Sequence, residues 1–275
     1  MKFIALLRKL GPNYWLTKGA GWLATIRISV IKNFLIRRFI EYYGVDMTSA
    51  VRQEPSQFEN FQDFFTRELK PAARPISRAP NALISPVDGV VAAAGSYTNN
   101  TLVQYKNTSS NLFNLTRSSR IGSTGSYAII YLSPKDYHRV HTPAQADLVA
   151  ASRLGGSRFA VKPSNHQSVD GLYERNVRVN CYFRSAHGEW LLTMVGALIV
   201  SSVQTTFDEH LPSNGDTEIN DFEPQPYTSG DELGRFCLGS TVILVIPHGI
   251  GELDTLDVGQ SLKLGEKIGS IFNLQ

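Results

Sequence analysis

The sequence predicts an α+β protein, with N-terminal amphipathic helices followed by a mainly antiparallel β body of barrel or hairpin character. Two observations carry this. The first 43 residues place apolar side chains at helical spacing between basic ones. From about Leu83 the chain breaks into short β-branched or aromatic runs separated by Gly, Pro, Asn and Asp. At 275 residues, 42% hydrophobic and 19% charged, the chain is long enough for a substantial core and has the balance of an ordinary folded protein.

The head, residues 1–50, is interrupted by Gly11-Pro12, Gly19 and Gly21, which predicts two or three short helices. In the last of them Ile28, Ile31, Leu35 and Phe39 recur at helical spacing, with Arg27, Lys32, Arg37 and Arg38 as charge. Eight of the 27 basic side chains but only one of the 24 acidic ones, Glu41, fall in residues 1–43. A head of net +7 therefore precedes a body of net −4, which points to an anionic partner for the head. No recognised nucleic-acid motif accompanies the charge, whereas Trp15, Trp22 and several Phe residues suit a lipid interface. Packing of these helices on the body is the plainer alternative. No apolar run reaches the roughly 18 residues of a spanning helix. No small-residue cleavage site follows a continuous apolar block, so a removable signal peptide is not expected.

Residues 51–82, with "FQDFFTRELKPAARPIS", read as a short helix and an extended linker. Residues 83–275 form the β-rich domain. Its runs include "LISPVDGVVAAAG", "SYAIIYLSP", "RVNCYFRS", "EWLLTMVGALIVSSVQTTF" and "TVILVIP". The stretches 100–124 and 155–178 are polar and irregular, either substrate-facing loops or plain surface. Cys181 and Cys237 lie far apart without CxxC spacing. That excludes a disulfide framework and a cysteine metal cluster, fits a reducing compartment, and leaves one pairing open.

Three places could carry chemistry. Asp88 in "SPVDGVV" sits in an Asp-Gly turn, which by itself is a common hairpin signal. His138 and His141 in "YLSPKDYHRVHTP" follow a strand. A metal site there lacks a third His or a Cys pair, whereas imidazoles titrating near neutral pH suit proton transfer. Tyr137 beside them reads as packing. In "CLGST", Gly239 lends backbone freedom and an open carbonyl to Ser240, a nucleophile if a base is near. Asp, His and Ser are triad ingredients, but composition alone does not bring them together.

Taken together, "SPVDGVV", "YLSPKDYHRVHTP", "LYERNVRV" and "GDELGRFCLGSTVILVIP" resemble phosphatidylserine decarboxylases of the bacterial proenzyme type. "NYWLTKGAGWLA", "EYYGVDM" and "FQDFFTRELKPAARPI" resemble them too, so the likeness runs in order along nearly the whole chain. The resemblance implies self-cleavage between Gly239 and Ser240. Ser240 would attack the Gly239 carbonyl and become a pyruvoyl group, leaving residues 1–239 and 240–275 as a heterodimer. Asp88, His141 and Ser240 match the self-cleavage triad, with His141 as base and Asp88 as its orienting carboxylate. His138 matches the acid of the decarboxylation stage. The pyruvoyl would form a Schiff base with the substrate amine and act as electron sink, with no metal. Arg175, Asn176 and Arg178 are candidates for the anionic headgroup, with a strand flank as the alternative. Val177 stands where these relatives usually carry an acidic residue, and the loop Thr101–Arg120 is a poor match. The resemblance also implies a membrane phospholipid substrate, reached by a peripheral protein on the cytoplasmic face of a bacterial cell membrane. It leaves a homodimer open.

Other readings are weaker. "SPVDGVV" and "LKLGEKIG" are locally similar to lipoyl or biotinyl carrier domains, which gives the body its lipoyl-like character, but no lysine stands at a matching hairpin tip. The complete Asp/His/His/Ser set argues against an inactive membrane-binding module. A pyruvoyl decarboxylase of a soluble amino acid would have no use for the basic head.

Overall fold

The computed structural model describes residues 21–103, 109–157, 159, 161, 171–196, 203–211, 218–237 and 240–272. Gly239 and the first head residues, Trp15 among them, lie outside the described residues.

The strands, in chain order, are β1 (Ala82–Ile84), β2 (Gly89–Tyr97), β3 (Thr101–Val103), β4 (Ser109–Asn111), β5 (Gly125–Leu132), β6 (Arg139–His141), β7 (Ala146–Leu154) and β8 (Arg178–Ser185). They continue as β9 (Gly188–Gly196), β10 (Val203–Thr205), β11 (Asn220–Tyr227), β12 (Glu232–Phe236), β13 (Ser240–Pro247), β14 (Gly251–Leu253), β15 (Ser261–Leu262) and β16 (Lys267–Ile271). One eight-stranded antiparallel sheet, ordered β11-β7-β8-β9-β13-β5-β2-β15, dominates. A three-stranded sheet β10-β12-β6 and another, β1-β16-β14, flank it.

β13 explains the architecture. Its sequence, STVILVIP, is apolar at nearly every position, and all eight residues are buried. A continuous apolar run suits a strand covered on both faces. Val242, Leu244 and Ile246 point into one cluster with Trp190, Leu192 and Ile130. Ile243 and Val245 point into a second with Leu191, Val195 and Ile129. The strand pairs without a break with β5, Ser240 opposite Leu132 through Pro247 opposite Gly125, and with β9 from Ser240 opposite Gly196.

The antiparallel α+β reading therefore stands, but the barrel is corrected to an open sheet. The order ends on β11 and β15 among the described residues and does not close. β11 carries Pro224 and Pro226, which cannot donate to a further strand, and its pairing with β7 slips between Asp221 and Gln225. β15 is two residues long. Lipoyl-like character finds no confirmation in this order. Both cysteines are buried and neither is in a disulfide.

In the head, residues 21–25 are helical and α1 spans Ser29–Tyr43. Gly44, in the left-handed region at φ 64°, ends α1 by donating its N–H to the Ile40 carbonyl. The buried residues of α1 are Lys32 and Ile36, and Ile36 packs with Val45, Phe58 and Phe64. Lys32, counted above with the surface charge, is turned inward, its Nζ donating to Asn33 Oδ1 and to the Pro55 carbonyl. Ile28, Val30, Ile31 and Phe34 face outward instead. A second helix, α2 (Phe61–Phe65), is capped by Asn60, whose side chain accepts from the Asp63 amide. Phe64 joins the cluster around Ile36, and Phe65 is buried against His138.

Candidate active site

Two strand pairings bring the candidate residues into one neighbourhood. Ser240, the first residue of β13, lies opposite Leu132, the last of β5. The chain leaves β5 through a turn in which Asp136 accepts from the Ser133 amide and hydroxyl, and then reaches His138 and β6. β6 pairs with β12, Glu232 opposite His141, and the Phe236 amide donates to the His138 carbonyl at 2.9 Å. The His138 main chain is thus held by Phe236, the last residue of β12 and four residues upstream of Ser240. His141 is tied to the Asp88 turn because its amide donates to the Pro86 carbonyl at 2.9 Å.

Both imidazoles have a fixed tautomer. His138 Nδ1 lies 2.9 Å from the Asp136 carbonyl and His141 Nδ1 lies 2.7 Å from the Gly230 carbonyl. A carbonyl only accepts, so each Nδ1 bears the proton and each Nε2 presents a lone pair. For His141 that lone pair faces the Tyr137 hydroxyl at 3.0 Å. For His138 it has no partner, in a ring that is fully buried and lies 4.0 Å from the Phe65 ring centre. Burial pushes the His138 pKa down to about 3 and lowers that of His141, so both rings are neutral at physiological pH. Ser240 Oγ is likewise fully buried and without a hydrogen-bond partner.

Asp88 is 1% exposed, and its carboxylate is held by Arg74 rather than by a histidine. Arg74 Nε donates at 2.8 and 3.1 Å and Nη2 at 2.6 Å, and the Leu264 amide adds a bond at 2.9 Å. Burial works to raise the Asp88 pKa, but these bonds outweigh it and hold the carboxyl below its ordinary value. In the uncut chain, then, the group orienting His141 is the Gly230 carbonyl, and Asp88 is in the same neighbourhood but bonded elsewhere.

The headgroup candidates have other uses. Arg178 is 1% exposed and donates to the carbonyls of Asn114, Leu115, Glu174 and Asn176. Asn176 bonds Phe159 on both sides and donates to the Gly196 carbonyl, and Val177 O accepts from the Gly196 amide. Gly196 lies opposite Ser240, so "RNVR" braces the strand beside it. Arg175 alone is exposed, with its guanidinium over the Phe159 ring.

Sequence reasoning missed Arg74, Arg67 and the role of Tyr137, which is more than packing because its hydroxyl meets His141. It also left Cys237 unexplained, and here its thiol accepts from Gln62 Nε2 of α2 at 3.0 Å. Among the described residues no three His, Cys, Asp or Glu side chains gather as a metal would require.

A family model for phosphatidylserine decarboxylase matches residues 61–270, and a second, described as PSD, matches residues 3–44. The chain is similar to the phosphatidylserine decarboxylase proenzyme of Saccharophagus degradans, at 37% identity over 98% of this chain and 97% of that protein. It is similar to that of Variovorax paradoxus at 38% identity over 86% of each. The proenzyme of Hahella chejuensis is 37% identical over 98% of this chain and 94% of its own length.

Proposed function

The chain belongs to the phosphatidylserine decarboxylase family, a family of carboxy-lyases, and from that membership we propose that it cuts itself before Ser240 and then converts phosphatidylserine to phosphatidylethanolamine and CO2. Ser240 Oγ attacks the Gly239 carbonyl, and the Ser240 nitrogen is released as an amine while an ester forms. β-Elimination frees the Gly239 carboxylate, and the dehydroalanine left behind hydrolyses with loss of ammonia to a pyruvoyl group heading residues 240–275. That carbonyl supplies the electron sink for the pair left when CO2 departs.

The observation that carries this reading is the buried, unpartnered hydroxyl of Ser240 at the entry to β13, opposite Leu132, the residue from which the chain turns toward His138 and His141. A serine hydroxyl needs a base, and neutral Nε2 lone pairs are bases. His141 takes the Ser240 proton at Nε2, which requires the Tyr137 hydroxyl to give way. Asp88, once released by Arg74, steadies the imidazolium. His138 serves the second stage. Being neutral, it first accepts a proton at Nε2 and then delivers it to the carbon that lost CO2; a substrate anion nearby raises its pKa for this. The two products of the cut stay together as a heterodimer, because residues 240–272 supply β13 and β15 to the large sheet and β14 and β16 to a small one.

The head brings the site to the lipid. Trp22, Ile28, Val30 and Phe34 are 61–81% exposed, beside exposed Arg27, Arg37 and Arg38. No helix among the described residues is long and apolar enough to cross a membrane. We place the chain peripherally, this face on an anionic leaflet at the cytoplasmic side.

Intact mass of the purified protein tests the proposal. Two chains separated between Gly239 and Ser240, the smaller blocked to N-terminal sequencing, are expected. Ser240→Ala is expected to stay single and inactive, and His138→Ala to cut but turn over little. A wild-type chain that stays whole on long incubation overturns the reading.

A further inference from the structure

A cavity of about 160 Å³ lies where the head meets the body, its wall including Gly44 at the end of α1 and Tyr137 beside His141. Four cations line it: Arg67, Arg74, Lys135 and Lys263. The carboxylates in the wall already have partners. Asp88 is held by Arg74. Asp46 accepts from the Thr48 amide and hydroxyl, and Asp136 from those of Ser133. Arg74 is matched by Asp88, but the other three cations are not fully matched in return. Arg67 is 3% exposed; its Nη2 donates to the Lys135 and Asp136 carbonyls, but Nε and Nη1 have no partner. Lys135 makes no ion pair among the described residues and is exposed, and Lys263 stands 3.6 Å from an Asp88 oxygen that Arg74 already holds.

A buried guanidinium with two idle nitrogens is costly unless an anion completes it. A cavity of this volume has room for a group of several heavy atoms, a phosphate among them. Guanidinium and ammonium groups are the donors that recognise phosphate oxygens.

We propose that this cavity is a phosphate-oxyanion subsite in which Arg67, Lys135 and Lys263 hold the phosphodiester of the substrate headgroup, while Arg74 stays with Asp88. The proposal rests on the function proposed above, since it is that reading which supplies a phospholipid. It gives the headgroup an anchor next to Tyr137 and His141, one that the strut residues Asn176 and Arg178 do not provide. Because the same oxygens occur in inorganic phosphate, the test separates the two sources.

Calorimetric titration of the full-length Ser240→Ala chain with glycerophosphoserine, with inorganic phosphate and with L-serine reads the site without turnover. Glycerophosphoserine is expected to bind and L-serine not to bind. Lys135→Ala, at an exposed position, and Arg67→Lys are each expected to weaken glycerophosphoserine about tenfold, and Lys267→Ala, at a lysine that does not line the cavity and pairs with Asp254, to leave it unchanged. In the active chain the same two substitutions are expected to raise KM for phosphatidylserine in mixed micelles about tenfold with much smaller effects on kcat, the mark of a contact made equally in ground and transition states. Weakening of inorganic phosphate alone supports the oxyanion site with free phosphate as its ligand. Unchanged binding of both in Lys135→Ala and Arg67→Lys, or L-serine binding as well as glycerophosphoserine, overturns the subsite. A wild-type chain that neither cuts nor releases CO2 overturns the proposed function instead and leaves the titration to decide the cavity.

Discussion

Replacing Arg178 by Met separates a headgroup ligand from an internal strut. Among the described residues Arg178 makes four bonds to main-chain carbonyls, at 2.6, 2.6, 2.9 and 3.0 Å, from a side chain that is 1% exposed. Charge-assisted bonds contribute roughly 1.5 kcal/mol each, so about 6 kcal/mol is lost with the guanidinium. Methionine fills much of the volume and removes the desolvation cost of a buried charge, which returns about half. The net loss is about 3 kcal/mol, or a Tm lowered by roughly 6–12 °C for a chain of this size. Thermal unfolding in a Ser240→Ala background keeps a single chain throughout, so cutting does not enter the transition. Arg178→Lys is expected to recover less than half of the loss, since one ammonium cannot reach four carbonyls in a fan. A Tm within about 2 °C of the parent together with a raised KM in the active chain would refute the strut and return Arg178 to the substrate.

Acid sensitivity follows from His138. Its pKa is pushed from 6.5 down to about 3 by burial, so below pH 6.5 the unfolded chain binds a proton that the folded chain refuses. Stability is present in full above pH 6.5 and falls as pH drops toward 3, at about 1.4 kcal/mol per pH unit from this residue, with His141 adding in the same sense. Urea midpoints of the Ser240→Ala chain between pH 7 and 5 are expected to fall more steeply than those of the same chain carrying His138→Gln, and parallel slopes would contradict this. Trp22→Ser with Phe34→Ser is expected to weaken co-sedimentation with vesicles containing anionic lipid at least tenfold while shifting Tm by less than about 2 °C, because both side chains are more than half exposed. Unchanged sedimentation would remove the head from the interface.

What the sequence could and could not show divides along main chain and side chain. The TVILVIP run is legible as a strand because its residues are β-branched and apolar, but its burial on both faces at the centre of the large sheet emerges only from the fold. The histidine pair, Asp88 and Ser240 were legible as residue types of the right chemistry. Their actual partners were not, because the Gly230 and Asp136 carbonyls that fix the two tautomers have no signature in a sequence. Arg74 was hidden in what read as an extended linker, fourteen residues from the carboxylate it clamps. Lys32 counted as surface charge until its ammonium was found on the Pro55 carbonyl. The open sheet was misread for a related reason. Local hairpin signals are the same in barrels and open sheets, and closure depends on the edges, where the β11 prolines block further pairing.

The same accounting bears on why Ser240 stands where it does. A hydroxyl buried without a partner costs roughly 1–3 kcal/mol, and the bare Nε2 of His138 adds a cost of the same kind. Against a total stability of about 5–15 kcal/mol, neither is a position that folding alone would choose for a polar atom. The surrounding strand can sustain the loss, since β13 is buried along its whole length and bonded on both sides to β5 and β9. Local rules broken inside a well-supported element are the mark of a site shaped by chemistry at the expense of stability. The consequence is measurable before any turnover assay. Ser240→Ala removes the unpaired oxygen, leaves the main-chain ladder intact, and is expected to raise the stability of the uncut chain by about 1 kcal/mol, or 2–4 °C in Tm. The parent for comparison is a chain kept whole by His141→Ala. If Ser240→Ala in that background melts lower instead, the hydroxyl has a partner in solution, and the reading of Ser240 as a nucleophile held waiting in an apolar strand loses its physical basis.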